Sequence, residues 1–125
     1  MTSDHSILVV DDEADLVANY ERLLRRRGYR VISAGSRAEG LTLVEREPLA
    51  LLITDLRLPD GDGLDLVRAA RGNPTPMPSI VVTGFASEAS RTAARAAGAS
   101  AYLGKPFAMS AFTSLVEQTL GSRQS

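Results

Sequence analysis

Short aliphatic runs alternate with segments of helical period from one end of the chain to the other, a pattern that few folds accommodate. Ile7 to Val10 is aliphatic and stops abruptly at Asp11 and Asp12. From Glu13 to Arg27, Leu16, Val17, Tyr20, Leu23 and Leu24 recur at helical spacing, and three arginines with Gly28 close the segment. Tyr29 to Ala34 alternates like a half-exposed strand. Ala38, Leu41 and Val44 give the inward face of a second helix, closed by Pro48. Leu49 to Thr54 reads as a strand buried on both faces. A loop with Pro59, Gly61 and Gly63 leads to a third helix with Leu64, Val67 and Ala70 inward. Three prolines between Asn73 and Pro78 forbid helix there. Ser79 to Val82 is a fourth strand ending at Thr83, and Ser87 to Ala97 an alanine-rich helix ended by Gly98. Ser100 to Leu103 is a short fifth strand, and Met109 to Leu120 a last helix carrying Phe112, Leu115 and Val116.

Strands separated by helices pair in parallel, with helices on both faces of the sheet. The first, third and fourth runs are almost wholly aliphatic and belong at the centre, whereas the second and fifth suit edges. The predicted fold is therefore α/β, a doubly wound five-stranded parallel sheet in the order 2-1-3-4-5. A dinucleotide-binding sheet is the competitor, but no G-x-G-x-x-G follows the first strand. A length of 125 residues predicts one domain, with its core at about 6–120 and flexible tails at 1–5 and 121–125. His5 falls in the first tail and reads as a solvated residue. Without cysteine, neither disulfides nor thiolate zinc sites can form. Fourteen basic residues against 15 acidic ones give no sign of a chain that coats nucleic acid. The longest apolar run, Leu49 to Ile53, is far too short for a membrane helix, and the first residues do not resemble a secretory signal. A cytoplasmic protein is expected.

In such sheets ligands bind beyond the carboxyl ends of the strands. Asp11 with Asp12, Asp55, Thr83 and Lys105 end strands one, three, four and five. Singly, each has a plain explanation: Asp12 a helix cap, Asp55 a turn residue, Thr83 a β-branched strand residue, Lys105 a solvated charge. Together, the carboxylates would repel by roughly 4 kcal/mol per pair at about 4 Å and an effective dielectric of about 20. Lys105 offsets one charge and a divalent cation would offset the rest; all-oxygen ligands in an open site favour Mg²⁺. Carboxylate, cation, hydroxyl and ammonium are the equipment for holding a phosphoryl group, and an aspartate can itself accept one as an acyl phosphate. Asp55, on the central strand, is the candidate nucleophile. Asp12 would help hold the metal, and Asp11 would be a second ligand or act through water.

Three other features carry less. Gly98 to Lys105 has an extra residue for a Walker A loop, and Pro106 takes the Ser/Thr place. Asp60 to Asp65 glances at a calcium loop but has Asp65 where glycine belongs and Arg71 at the last-ligand position. Asp60-Gly61 reads better as a turn and Gly63 as the entry to a helix. Arg25, Arg26 and Arg27 read as a helix end that complements the dipole.

In order along the chain stand Ile-Leu-Val-Val-Asp11-Asp12-Glu13, Ile-Thr-Asp55-Leu-Arg57-Leu-Pro59-Asp60-Gly61-Asp62-Gly63, Val-Val-Thr83-Gly84-Phe85 and Ala-Tyr102-Leu-Gly-Lys105-Pro106-Phe107. From about Ser6 to Leu120 these motifs resemble the receiver domain of bacterial two-component response regulators, a flavodoxin-like (βα)5 fold. The resemblance implies that Asp55 accepts a phosphoryl group from the phosphohistidine of a sensor histidine kinase. It implies that Asp12, Asp55 and the main-chain carbonyl of Arg57 ligate Mg²⁺ directly, with Asp11 supporting through water. Thr83, Lys105 and the amides near Arg57 and Gly84 would hold phosphoryl oxygens. Lys105-Pro106 would be cis. Tyr102 would reorient when Thr83 is drawn toward the phosphoryl group. Gly84 stands where the family often has alanine, and Arg57 and Phe85 occupy positions that influence phosphoryl lifetime.

With three carboxylates, Lys105 and Mg²⁺ the resting site sums to zero; phosphorylation takes it to about −1 and adds acceptors for Thr83 and Lys105. Contacts made only in the modified form can bias a two-state element, and inverting a 1:99 population needs ~5.5 kcal/mol. The expected readout is the face of the fourth helix, fifth strand and fifth helix, controlling an output domain, a downstream protein or a homodimer. No direct nucleic-acid or membrane contact is expected. The chain is expected to catalyse only its own phosphoryl transfer and hydrolysis, not to be an enzyme on a separate metabolite. Two other readings remain at this point: a Mg²⁺-dependent aspartyl-phosphate phosphatase, and a pseudo-receiver that only binds a protein. The phosphatase would want a second Asp two residues after the nucleophile, where Arg57 stands.

Overall fold

The computed structural model describes residues 6–122. The chain runs β1 (Ser6–Val10), α1 (Ala14–Arg26), β2 (Val31–Ala34), α2 (Arg37–Arg46), β3 (Leu49–Asp55), β4 (Arg57–Leu58), β5 (Gly61–Asp62), α3 (Leu64–Gly72), β6 (Ser79–Thr83), α4 (Glu88–Ala97), β7 (Ala101–Gly104) and α5 (Met109–Ser122). Five strands form one parallel sheet in the order β2-β1-β3-β6-β7. That is the predicted order, because the fourth and fifth predicted strands are β6 and β7. β4 and β5 make a separate antiparallel hairpin inside the segment read from sequence as a loop.

Alternate strand residues serve opposite layers. Ile7, Val9, Leu51, Ile53, Ile80 and Val82 pack with Tyr20 and Leu24 of α1 and Phe112 and Val116 of α5. On the other face Leu8, Val10 and Leu52 meet Val44, Leu66 and Ala70 of α2 and α3, while Val81 meets Leu64, Val67, Ala94 and Ala97 of α3 and α4. Full burial of one such aliphatic side chain contributes about 1.5–3 kcal/mol. α4 gives the core only Ala94 and Ala97, so little apolar burial anchors it.

Three local readings need correction. β2 begins at Val31 rather than Tyr29, because the Tyr29 amide returns to Leu24 O and Gly28, at φ 92°, donates to Arg25 O, completing α1. Ala38 is exposed, and the buried residue of that helix turn is Gly40. A Cβ at Gly40 would lie 3.1 Å from the Leu66 methyls and 3.2 Å from Val10 Cγ2, so α2 packs through its glycine. α5 also runs through Gly121 to Ser122, where a tail was expected. His5 and residues 123–125 lie outside the described residues. Among the described residues no helix is long and apolar enough to cross a membrane.

Register decides where the strands end. Val10 is level with Thr54, Asp55 with Val82, and Thr83 with Gly104. The residues that follow β1 and β7 and those that close β3 and β6 therefore share one edge.

Candidate functional site

At that edge, carboxylate oxygens of Asp11, Asp12 and Asp55 lie within 4.8 Å of one another. Asp11 and Asp55 are 4% and 8% exposed, while Asp12 is open to solvent. Like charges so close and so dry require a counter-charge. The chain's sole lysine supplies it. Lys105 Nζ donates to Asp11 Oδ2 at 2.9 Å, Asp55 Oδ2 at 3.0 Å and Glu13 Oε1 at 3.0 Å. Lys105 is aimed there by the pairing of its own amide with Thr83 O at 2.7 Å, and its bond to Pro106 is cis.

The remaining carboxylate oxygens are held by the backbone. Asp11 Oδ1 accepts from the Glu13 amide at 2.9 Å and Asp55 Oδ1 from the Arg57 amide at 3.2 Å. Burial raises the Asp11 carboxyl above its ordinary value, and the Glu13 amide and Lys105 only partly offset it. For Lys105, burial alone would depress the ammonium, but Asp11, Asp55 and Glu13 outweigh it and raise the group above its ordinary range. Asp12 makes no hydrogen bond or ion pair with another described residue, and the N-cap position of α1 belongs to Glu13, without a side-chain bond. Asp12 is thus no helix cap, and its carboxylate faces solvent beside the other two.

Glu13 is the residue the sequence reading missed. It sits where a helix was expected to begin, and its carboxylate on Lys105 adds a fourth negative charge. With a divalent ion the resting site is then near −1 rather than neutral.

The loop after β3 wraps tightly over the cluster. Gly63 N donates to Leu56 O at 2.8 Å, and a Cβ on Gly63 would fall 1.9 Å from the Asp55 carbonyl oxygen. Gly63 is therefore a close-approach position as well as a helix entry. The Arg57 side chain turns outward, its guanidinium 3.9 Å above the ring of Phe85, so the loops after β3 and β6 touch across the mouth. A groove of about 370 Å³ opens from Asp11 and Asp12 between α1 and β2.

Thr83 is fully buried and its Oγ1 accepts from the Phe85 amide at 2.9 Å; its side chain makes no hydrogen bond to Asp55 or Lys105. Its hydroxyl proton is left to donate. Tyr102 is half-buried and tied to the start of α4 rather than to Thr83. Its hydroxyl pairs with that of Ser90 and accepts from the Ser87 amide at 3.3 Å, and Arg91 lies 4.7 Å over its ring. Ser87 and Ser90 form the capping box of that helix.

The calcium-loop likeness dissolves in the structure. Asp60 caps α2, Asp62 Oδ1 accepts from the Leu64 amide at 2.8 Å, and Asp65 pairs with Arg37 and Arg68. In the arginine run, Arg27 pairs with Glu117 and Arg25 reaches Val31 O.

A strand-end acid cluster with one lysine on this sheet defines a class, and comparison with known proteins supplies the family. The chain belongs to the response regulator receiver domains, whose family model matches residues 7–117. It is 36% identical over 104 residues to the photosynthetic apparatus regulatory protein RegA of Cereibacter sphaeroides, a match covering 83% of this chain and 56% of RegA. It therefore spans only about half the length of that relative. Among solved structures it resembles a CheY-like response regulator receiver domain protein from Methanospirillum hungatei, with a TM-score of 0.92, 32% identity and 98% of both chains covered. It also resembles the receiver domain of sensor histidine kinase PA1611 from Pseudomonas aeruginosa, with magnesium coordinated in its active-site cleft. There the TM-score is 0.83 and identity 28%, over 95% of this chain and 99% of that one. The fold is the flavodoxin-like receiver fold, and the chain is a signalling domain of two-component systems.

Proposed function

We propose that residues 1–125 act as one receiver unit, a phosphoacceptor switch that takes a phosphoryl group from the phosphohistidine of a sensor histidine kinase onto Asp55. The observation that carries this reading is Lys105 Nζ held at 3.0 Å from Asp55 and 2.9 Å from Asp11 beside the free carboxylate of Asp12. Asp11, Asp12, Asp55 and the Arg57 carbonyl form an all-oxygen donor set suited to Mg²⁺, and Asp12, open to solvent and without a partner among the described residues, leaves a ligand position ready. A bound ion would neutralise carboxylate charge and polarise phosphoryl oxygens.

An Asp55 carboxylate oxygen forms a bond to phosphorus as the phosphorus–nitrogen bond of the phosphohistidine breaks, and that bonding pair returns to the imidazole. Lys105 moves its hydrogen bond from the Asp55 oxygen to a phosphoryl oxygen. Thr83 donates its hydroxyl proton to another, which draws the loop after β6 inward. α4 follows because it starts on that loop and is held by little apolar burial. The consequence is a changed α4–β7–α5 face, read by an output domain, a downstream protein or a second copy in the cytoplasm. Tyr102, fastened to Ser87 and Ser90, couples β7 to the start of α4 in this motion.

Intact-mass spectrometry after incubation with acetyl phosphate and Mg²⁺ tests the reading. One phosphoryl increment is expected on the wild type and none on Asp55→Asn or in the presence of a chelator. A wild type that gains nothing would make this a binding module only, and an Asp55→Asn still labelled there would end the assignment. A phosphatase would need an acid/base side chain two residues after Asp55, and Arg57 there lies on Phe85, outside the cluster.

A further inference from the structure

The turn between β4 and β5 is fastened to a helix distant in sequence. Asp60 Oδ1 accepts from the Arg37 amide at 2.7 Å and Oδ2 from the Ala38 amide at 3.0 Å, so a loop side chain caps the first turn of α2. Ser36, the helix's own N-cap residue, satisfies a different amide, that of Glu39, at 3.2 Å. Arg37 reaches back over the hairpin. Its Nε donates to Asp65 Oδ2 at 2.7 Å, and its Cδ lies only 2.6 Å from where a Cβ on Gly61 would be. Two amides thus hold the hairpin to α2, and the Arg37 guanidinium ties that end of α2 to α3 beside it.

The same hairpin carries Arg57, whose amide touches Asp55 Oδ1 and whose carbonyl is a metal ligand in the function proposed above. It has only two ladder pairs, Arg57 with Asp62 and Leu58 with Gly61, too few to keep its shape unaided. We propose that Asp60 is a positioning residue for the metal and phosphoryl site: by capping α2 it holds the β4–β5 hairpin, and with it the Arg57 main chain, in the arrangement that binds Mg²⁺. The inference rests on reading Asp11, Asp12 and Asp55 as metal ligands. Without the clamp the metal-free hairpin spreads over other arrangements, and affinity falls with the fraction of molecules still competent to bind.

Calorimetric Mg²⁺ titration of the whole chain tests this with Asp60→Ala, Asp60→Asn, Ser36→Ala and Asp12→Ala beside the wild type. Asp60→Ala is expected to weaken Mg²⁺ binding about fivefold, the fold-change equivalent of one helix cap. Asp60→Asn keeps one acceptor oxygen and should fall between. Ser36→Ala removes a cap from the same helix without touching the hairpin, so it should lower Tm while binding Mg²⁺ as the wild type does. Unchanged affinity in Asp60→Ala, or equal weakening in Ser36→Ala, would overturn the proposal. Asp12→Ala separates the two levels: if it binds Mg²⁺ like the wild type, the metal site itself has been misassigned.

Discussion

Gly63→Ala is the substitution for which the structure gives the sharpest expectation. Gly63 has φ −63° and ψ −20°, helical values that alanine adopts freely, so any penalty comes from space and not from backbone preference. The added Cβ would lie 1.9 Å from the Asp55 carbonyl oxygen and 3.0 Å from both Asp55 C and Thr54 Oγ1. Reaching ordinary contact at about 3.5 Å requires the two backbone segments to part by roughly 1.5 Å. Two hydrogen bonds lie in the path of that movement: Gly63 N to Leu56 O at 2.8 Å and Thr54 Oγ1 to Asp55 O at 2.9 Å. Allowing about 1 kcal/mol for each bond and about 2 for the overlap gives a loss of about 4 kcal/mol. Against a typical total of about 5–15 kcal/mol, such a variant folds marginally or not at all. Urea denaturation gives the stability, and labelling by acetyl phosphate gives the state of Asp55. Gly72→Ala is the internal control, since nothing lies within 4 Å of its Cβ; it should gain about 0.4–1 kcal/mol. A Gly63→Ala protein within about 0.5 kcal/mol of the wild type and fully phosphorylated would refute the close approach.

Further predictions concern the buried polar groups. The Tyr20 hydroxyl is the buried side-chain atom among the described residues with no hydrogen-bond partner, and its ring stacks on Phe112 at 4.5 Å. Tyr20→Phe keeps the stack and should raise the urea stability by about 1 kcal/mol, whereas a loss would reveal a hidden partner. Lys105→Met strips the cation from two buried carboxylates and should cost about 3 kcal/mol in metal-free buffer, with saturating Mg²⁺ restoring more of the stability than it adds to the wild type. Because the folded state raises the Lys105 ammonium above its ordinary 10.5, its stabilisation is full below that value. It is lost as pH rises through the folded value, so alkaline urea midpoints should fall in the wild type and lose that component in Lys105→Met.

Much of the site was legible because its signals are local. An aliphatic run buried on both faces can end only where the chain leaves the sheet, so the first polar residue after it marks the strand end. Asp11 and Thr83 are such residues, Asp55 stands one place beyond the buried Thr54, Lys105 follows the half-buried β7, and parallel register brings all four to one edge. The residues that escaped are those whose roles are set by partners far along the chain. Glu13 looks like the start of a helix until Lys105 reaches it, and Asp60 looks like a turn until the amides of α2 are laid against it. Gly63 could be placed at the helix entry, yet only the folded loop shows the Asp55 carbonyl beneath it. Gly40 has no side chain for a periodicity to register, so Ala38 took its place on the predicted inward face.

The same division separates what holds the resting site from what would move it. Strand register fixes the acid cluster through the backbone hydrogen bonds of the sheet. Lys105, by contrast, is shared by three carboxylates, one of which would change chemistry in the switch. In the switch proposed above, a phosphoryl group on Asp55 would replace one of those three partners, and the ammonium would redistribute its bonds. Thr83 faces a parallel choice, because its oxygen already serves the Phe85 amide while its proton is uncommitted. Both groups can therefore turn toward the new oxygens without first breaking the sheet. In the switch proposed above the element expected to yield is α4, whose buried side chains are only the two alanines Ala94 and Ala97.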